Sequence, residues 1–392
     1  MALVLVFSVA LLAAVLISEL ARNSVLSTAV LFIVVGMGAR AMGWIDVGSG
    51  APLVEHGADV ALVATLFTDG LKLDFEKLRA NWSLATRALA IGLPLTIAFT
   101  AVLARWILGL DWVRALLVGA ALAPTDPVFA AALVGSEHVP ARLRRTLSIE
   151  SGLNDGLVVP IVLVLIGAAG GGRTTTTAAL TGVLLGLALG AIVPLPAVWL
   201  IRRKPFGAAA PYKPLFALGI LLVAASAAKL LRWNELLASF AAGVALGTVS
   251  EKARRHYEAL GEQVSELLKL AALLAFAAVV EPKHLLGVGW RAYVFAVAVL
   301  VVPRPLALGV ALWRSNLDRR ERLVAGWFGP KGFASVLFAL LIVHSSLPDR
   351  ADLFHYIALA VVGSMVAHSS TDYLVERWFE RREPRRHAEA PA

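Results

Sequence analysis

Thirteen apolar stretches, most of them near the length of a membrane span, run through this chain. They leave it few ways to fold. A helix needs about 20 apolar residues to cross the hydrocarbon core of a bilayer. Lipid offers no partner for backbone N–H and C=O groups, so a crossing segment must satisfy its own, as an α-helix does. The stretches are 2–20, 25–44, 52–70, 86–107, 112–134, 146–168, 176–200, 212–230, 235–249, 260–280, 290–313, 321–344 and 352–376. Of the 392 residues, 59% are hydrophobic and only 16% charged, whereas a soluble domain is nearer a half and a quarter. The expected fold is an all-α membrane protein of about 13 transmembrane helices, one integrated domain over 1–378 with a basic cytoplasmic tail at 379–392.

The charges test this reading. With the N-terminus placed outside, the connections assigned to the inside hold Lys and Arg in a roughly three-to-one excess, as the positive-inside rule requires. Arg142, Arg144 and Arg145 fall inside, for example, as do Arg202, Arg203 and Lys204 and the tail Arg381 and Arg382. The net charge of +9 therefore reads as membrane topology and not as a nucleic-acid surface. Apolar residues begin at Ala2, so the first stretch is expected to be a retained helix and not a cleaved signal. With no cysteine there is no disulfide or thiolate chemistry. HExxH and P-loop patterns are absent, and Ser148 and Ser151 lack a membrane-embedded histidine at useful spacing. No enzyme activity and no cofactor are expected.

Two stretches are interrupted. The fifth carries Ala123-Pro124-Thr125-Asp126-Pro127, and the twelfth carries Gly326-Trp327-Phe328-Gly329-Pro330-Lys331-Gly332. Proline removes a backbone donor and clashes with the preceding turn. Broken backbone survives at membrane depth only where it is buried in protein or lines a cavity. The linker Gly170–Thr177 divides the chain near its middle, which suggests two six-helix halves of opposite membrane sense joined by the seventh stretch. Stretches five and twelve would then be mirror-related broken helices, the usual pointer to a central transport site.

The sixth stretch holds the strongest polar signal, Glu150-Ser151-Gly152-Leu153-Asn154-Asp155-Gly156. A charged side chain at a helix centre costs about 2.5–3.5 kcal/mol on insertion scales. A chain that carries that cost twice in one short run is expected to use those groups, and moving ions or protons is the expected use. Ser151 and Asp155 are four apart and share a helix face, with Glu150 and Asn154 on the adjoining face. Gly152 and Gly156 would let another backbone approach. A hydroxyl, a carboxylate and carbonyls from the break suit a hard cation. Since a bare carboxylate held out of water is costly, proton and cation compete for Asp155. Lys331 needs a counter-charge, with Glu150, Asp126 and Asp155 available. Asp69 closes the third stretch, either at the interface or in a funnel. Glu266 and Lys269 could pair with each other, while Glu55 and Asp59 share a face toward the outer end. His368 is the histidine placed deepest in a stretch, and a helix-end hydrogen bond is its default role.

These motifs resemble the monovalent cation:proton antiporters of the sodium/proton exchanger type. Ser265-Glu266 and the run Phe240-Ala-Ala-Gly-Val-Ala-Leu-Gly247 fit as well, and the resemblance covers residues 1–378. It implies a homodimer with a dimerisation scaffold and a mobile six-helix core. The core is drawn here from 52–168 and 260–376, with two discontinuous helices crossing at the site. It implies that Asp155 binds sodium or a proton with Thr125, Ser151 and Asp126 nearby, so that Asp155, Ser151 and Thr125 hold the transported ion. In the family an Asn-Asp pair such as Asn154-Asp155 accompanies electroneutral one-for-one exchange. The family usually has arginine where this chain has Lys331.

The function expected from the sequence is exchange of Na⁺ (or Li⁺) for H⁺ by alternating access in the cell inner membrane, in the service of pH homeostasis. Asp155 is the shared site, and Asn154, Ser151, Thr125 and Asp126 surround it. Glu150, Lys331, Asp69 and Glu266 form a supporting polar network. The expected partners are membrane lipid, a second copy and monovalent cations, with no nucleic acid. The competing readings are a cation channel or ion sensor on the same polar core, and K⁺/H⁺ exchange.

Overall fold

The computed structural model describes residues 2–22, 28–45, 52–73, 82–126, 139–170, 176–280 and 282–380. The described residues are mostly helical, with no strand among them. Among the described residues six helices are long and apolar enough to cross a membrane, at Leu84–Leu108, Ala141–Ala168, Leu180–Ile201, Ala210–Leu230, Trp290–Ala311 and Arg350–Thr371. Shorter apolar helices accompany them, including Ala2–Ile17, Thr28–Ala41, Trp112–Leu122, Glu235–Val249 and Phe333–His344. Leu5, Leu12 and Leu16 on the first helix, and Leu184 and Leu222 further on, stand exposed, as a lipid-facing surface requires.

In chain order the helices are α1 (Ala2–Arg22), α2 (Thr28–Ala41), α3 (Pro52–Lys72), α4 (82–108), α5 (Trp112–Leu122), α6 (Ala141–Ala168), α7 (Thr176–Ile192), α8 (Pro194–Ile201), α9 (Lys213–Leu230), α10 (Glu235–Val249), α11 (Glu251–Val279), α12 (Pro282–Gly287), α13 (Trp290–Val301), α14 (Pro303–Ala311), α15 (Arg319–Trp327), α16 (Phe333–His344) and α17 (Arg350–Glu380). Their ends have local causes. Gly109, at φ +75°, closes α4, and Asp111 then caps α5 by accepting from the Val113 and Arg114 amides. Asn234 caps α10, and Asp318 with Glu321 forms a reciprocal capping box on α15. Prolines set the interruptions. The eleventh apolar stretch, 290–313, breaks at Val302 before Pro303, and the seventh at Val193 before Pro194. In contrast, α6 runs through Pro160 without stopping, and it starts at Ala141, earlier than its apolar stretch.

The helices pack into two groups. In one, α3 lies along α10 and α11, α7 and α9 also cover α10, α2 lies on α11, and α1 touches α2. The α3–α10 crossing is glycine-lined: a Cβ on Gly243 would fall 2.1 Å from the Phe67 carbonyl oxygen, and one on Gly247 2.6 Å from that of Leu71. In the other group α4 packs on α5 and α14, α5 on α6, α14 on α15, and α17 on α13 and α16. The groups meet mainly where α6 and α16 face α3 and α11.

Candidate functional site

The two interrupted stretches come together. α5 stops at Leu122 ahead of Pro124, and α15 and α16 are separated by Phe328–Gly332. The Asp126 amide donates to the Pro330 carbonyl at 3.0 Å. The Asp126 carboxylate in turn accepts from the Phe333 amide at 3.1 Å, capping the start of α16. An anion there meets the positive end of the helix dipole. Gly332 permits the approach, because a Cβ at that position would lie 2.1 Å from the Asp126 Cβ. Pro127, the second proline of the first interruption, lies outside the described residues.

α6 adds the rest. Thr125 Oγ1 and Ser151 Oγ are 3.2 Å apart, and the Asn154 side-chain amide donates to Thr125 Oγ1 at 2.9 Å. Thr125, Ser151 and Asn154 are buried. Asp155 Oδ1 and Asn154 Oδ1 are buried oxygens that reach no hydrogen-bond partner among the described residues. Buried polar atoms are rarely left so. Asp155 lines a cavity of about 530 Å³, with Asp126 and Ser151 on its own wall and Asp69, Glu266 and Lys269 opposite. Asp69 thus belongs to the cavity wall and not merely to an interface. Lys269 also lies over the Phe333 ring, 5.6 Å from its centre, at the head of α16. All five residues expected around the ion, Asp155, Asn154, Ser151, Thr125 and Asp126, come together at this crossing.

The counter-charges are arranged differently from the expectation. Glu150 was one of three carboxylates available to Lys331, yet it gives both oxygens to Arg304, at 2.7 and 2.9 Å. Both residues are buried, and Arg304 also donates to the Ala325 carbonyl at 3.2 Å. The fork of a guanidinium matches a carboxylate in two places at once, which an ammonium cannot do. Gly329 makes space for it, since a Cβ there would fall 2.0 Å from the Arg304 Cδ. Lys331 is buried behind the pair, with its backbone amide on Ser364 Oγ at 2.7 Å. Arg304 escaped the sequence reading, although its setting, Val302-Pro303-Arg304-Pro305 inside an apolar stretch, was a visible signal.

Two other expectations change. Gly156 does not admit a neighbouring backbone: it carries the ring of Phe240 from α10, whose Cε2 would sit 2.4 Å from a Cβ. Gly152 faces the cavity, with nothing near its missing side chain. Among the remaining residues, Asp59 lines pockets at the opposite end from the cavity, and the Glu55 side chain lies outside the described ones. His368 bonds the carbonyl of Trp327 at the end of α15.

Among the described residues the cavity lies toward one end of the bundle. It continues past Asp69, Lys72 and Ser148 into a second space of about 470 Å³ beside Glu251 and Glu258. A Lys72–Glu262 pair at 2.9 Å stands at this mouth. At the other end, pockets of about 350 and 250 Å³ share Asp59 and Leu163. Buried Val158, Val159 and Val162 of α6 lie between Asp155 and Leu163, and Phe240 rests on Gly156 at the same level.

Comparison with known proteins identifies the family and the fold. The chain matches the family described as "Sodium/hydrogen exchanger, transmembrane" over residues 6–376. A K(+)/H(+) antiporter NhaP of Alkalimonas amylolytica is 25% identical over 90% of this chain and 62% of its own length. A K(+)/H(+) antiporter NhaP2 of Shewanella oneidensis is 24% identical over 80% of this chain and 56% of its own. A probable Na(+)/H(+) antiporter of Schizosaccharomyces pombe is 25% identical over 81% and 48%. The chain therefore spans less than two thirds of these relatives. The solved sodium proton antiporter MjNhaP1 of Methanocaldococcus jannaschii superposes with a TM-score of 0.76 at 18% identity, covering 96% of this chain and 99% of that one. That likeness fixes the fold. With the family match running across nearly the whole chain, the protein belongs to the sodium/hydrogen exchanger family of transmembrane proteins.

Proposed function

We propose that this protein exchanges Na⁺ (or Li⁺) for H⁺ across the cell inner membrane, one for one and electroneutrally, with Asp155 as the site both ions share. The observation that carries the reading is the Asp155 carboxylate oxygen, without a hydrogen-bond partner among the described residues, on the wall of a cavity at the crossing of two broken helices. Asp155 and the Ser151 and Thr125 hydroxyls would ligate the cation, and Asn154 would hold Thr125 in place. When Asp155 is loaded with either ion its charge is neutralised, so the loaded carboxylate crosses the apolar level near Phe240 more easily than the bare one. A ligand shifts such an equilibrium only through its differential affinity for the two states.

The proposed architecture is 13 crossings in two inverted six-helix repeats, the N-terminus outside and the basic tail in the cytoplasm. In this orientation the cavity beside Asp155 opens to the cytoplasm, on the side of Arg142, Arg254 and Arg255. The proposed division departs from the core expected over 52–168 and 260–376: because α3 and α11 pack with α10 and α2, they go with a scaffold of α1–α3 and α7–α11 that supplies the homodimer contact, and the mobile bundle is α4–α6 and α13–α17. This division places α3 and α11, with Asp69 and Glu266, on the fixed wall that faces Asp155.

Proton flux in proteoliposomes, driven in turn by each alkali cation and with or without an imposed voltage, tests the reading. Wild type is expected to move protons against Na⁺ and Li⁺ with no voltage dependence, and Asp155→Asn to abolish exchange while still inserting. Retained exchange in Asp155→Asn would overturn the site. Competition between proton and cation predicts a bell-shaped rate between about pH 6 and 9; a flat profile would count against one shared carboxylate. A second reading, K⁺/H⁺ exchange, is favoured by the names of the NhaP and NhaP2 relatives, and flux driven by K⁺ in preference to Na⁺ would establish it.

A further inference from the structure

We propose that His368, acting with Ser364, is a positioning residue for the cation site: from α17 it fixes the backbone of the second break, and through that backbone Asp126. The inference rests on the antiport reading above for the role of Asp126 and Asp155.

A broken helix leaves carbonyls at the end of its first half and amides at the start of its second without helical partners. At membrane depth those groups must be met by protein. Here α17 meets one of each. His368 Nε2 lies 3.0 Å from the Trp327 carbonyl, the last residue of α15, and Ser364 Oγ lies 2.7 Å from the Lys331 amide. Ser364 and His368 are one turn apart, both fully buried, and Ser364 Oγ is 3.1 Å from His368 Nδ1. Thr371, on the same face, accepts from the Trp327 indole at 3.0 Å. The imidazole packs beside the rings of Trp327 and Phe328, at 5.2 and 6.4 Å.

The directions of these bonds follow from their chemistry. A backbone amide only donates, so Ser364 Oγ accepts from Lys331. A carbonyl only accepts, so the Nε2 that faces Trp327 must carry a hydrogen. In the neutral ring Nδ1 is then the acceptor, and the Ser364 hydroxyl supplies its hydrogen. One chain thus runs from the Lys331 amide through Ser364 and His368 to the Trp327 carbonyl and spans the break. Nδ1 also lies 2.8 Å from the Ser364 carbonyl, which a doubly protonated ring would satisfy. Lys331 and Arg304 are the charges that face the ring. In both protonation states the bond to Trp327 persists, so the task is geometric and does not require His368 to titrate.

The opposite side of the same short segment grips Asp126. Pro330 accepts from its amide, and the Phe333 amide donates to its carboxylate. Residues 327–333 are therefore held from behind by α17 and hold Asp126 in front. If Ser364 or His368 releases the segment, Asp126 shifts beside Asp155, and cation affinity falls before turnover does.

The test is cation-driven proton flux in proteoliposomes, with apparent KM, maximal rate and pH profile read for wild type, Asp155→Asn, His368→Gln, His368→Leu and Ser364→Ala. Glutamine offers an N–H to Trp327 and an oxygen to Ser364, without a titrating ring. His368→Gln is expected to keep the KM within about twofold and the wild-type pH profile, while His368→Leu and Ser364→Ala raise KM about tenfold, the worth of one hydrogen bond. Should His368→Leu fail to fold, Ser364→Ala decides. Wild-type KM in Ser364→Ala, or a loss in His368→Gln as deep as in His368→Leu, would overturn the inference. Absence of cation-driven flux in the wild type would instead sink the antiport reading, so the two failures are distinct.

Discussion

Glu150 and Arg304 show what a single residue's setting can and cannot reveal. A buried carboxylate in an apolar stretch demands a partner, and that demand is legible from Glu150 alone. The partner's identity is not, because it stands 154 residues away and reaches Glu150 only after two helices have packed. Helical periodicity says which side chains share a face, and by that rule Ser151 and Asp155 were placed together. It is silent on which helix faces them. Breaking a buried pair by removing one member leaves an uncompensated charge and costs about 3–5 kcal/mol, whereas replacing both members with apolar groups costs far less. Thermal unfolding of the purified protein is therefore expected to fall sharply for Glu150→Leu and to recover in the double variant with Arg304→Met. Equal losses in the single and double variants would mean that the pair matters for something other than charge balance, such as holding Gly329 and the second break in place.

At the scale of elements, both interruptions were readable, since proline and glycine in an apolar stretch leave backbone groups that must be met somewhere. That they meet each other, Asp126 to Pro330 and Phe333, depends on the crossing of two helices and on one missing methyl group. At Gly332 an added Cβ would occupy the place of the Asp126 side chain, so one of the broken helices must move. Gly332→Ala is accordingly expected to abolish cation-driven proton flux while the protein still inserts; flux within twofold of wild type would show that the crossing is looser than its distances indicate. Gly156 poses a related question between helices that belong to different packing groups. Its Cβ position is filled by the Phe240 ring, one residue from Asp155. Spacing marked Gly156 as a small residue beside the site but could not distinguish a backbone neighbour from a ring.

For the whole molecule the decisive fact is asymmetry. Alternate charging of the connections supports the proposed topology, and the apolar stretches mark where helices stand, but neither says which end is open. The cavity beside Asp155 lies between the two packing groups and continues past Lys72 and Ser148, while buried Val158, Val159 and Val162 and the Phe240 ring stand between it and the small pocket that Leu62, Leu163 and Leu341 line at the far end. Antiport requires the opposite arrangement to be populated as well, with the groups parted at the far end. Leu62 of α3 and Leu341 of α16 line the same small pocket at that end and come from different groups. The chain contains no cysteine, so thiols introduced at these two positions are the only ones present. Joining Leu62→Cys to Leu341→Cys with a short, reducible bifunctional reagent should hold the far end shut, stop exchange and leave cation access from the cavity side intact. Reduction should restore flux. Full cross-linking with undiminished exchange would mean that the two groups do not separate there during the cycle, and the motion would then have to be sought within the bundle that carries Asp155, where α5, α6 and α16 meet.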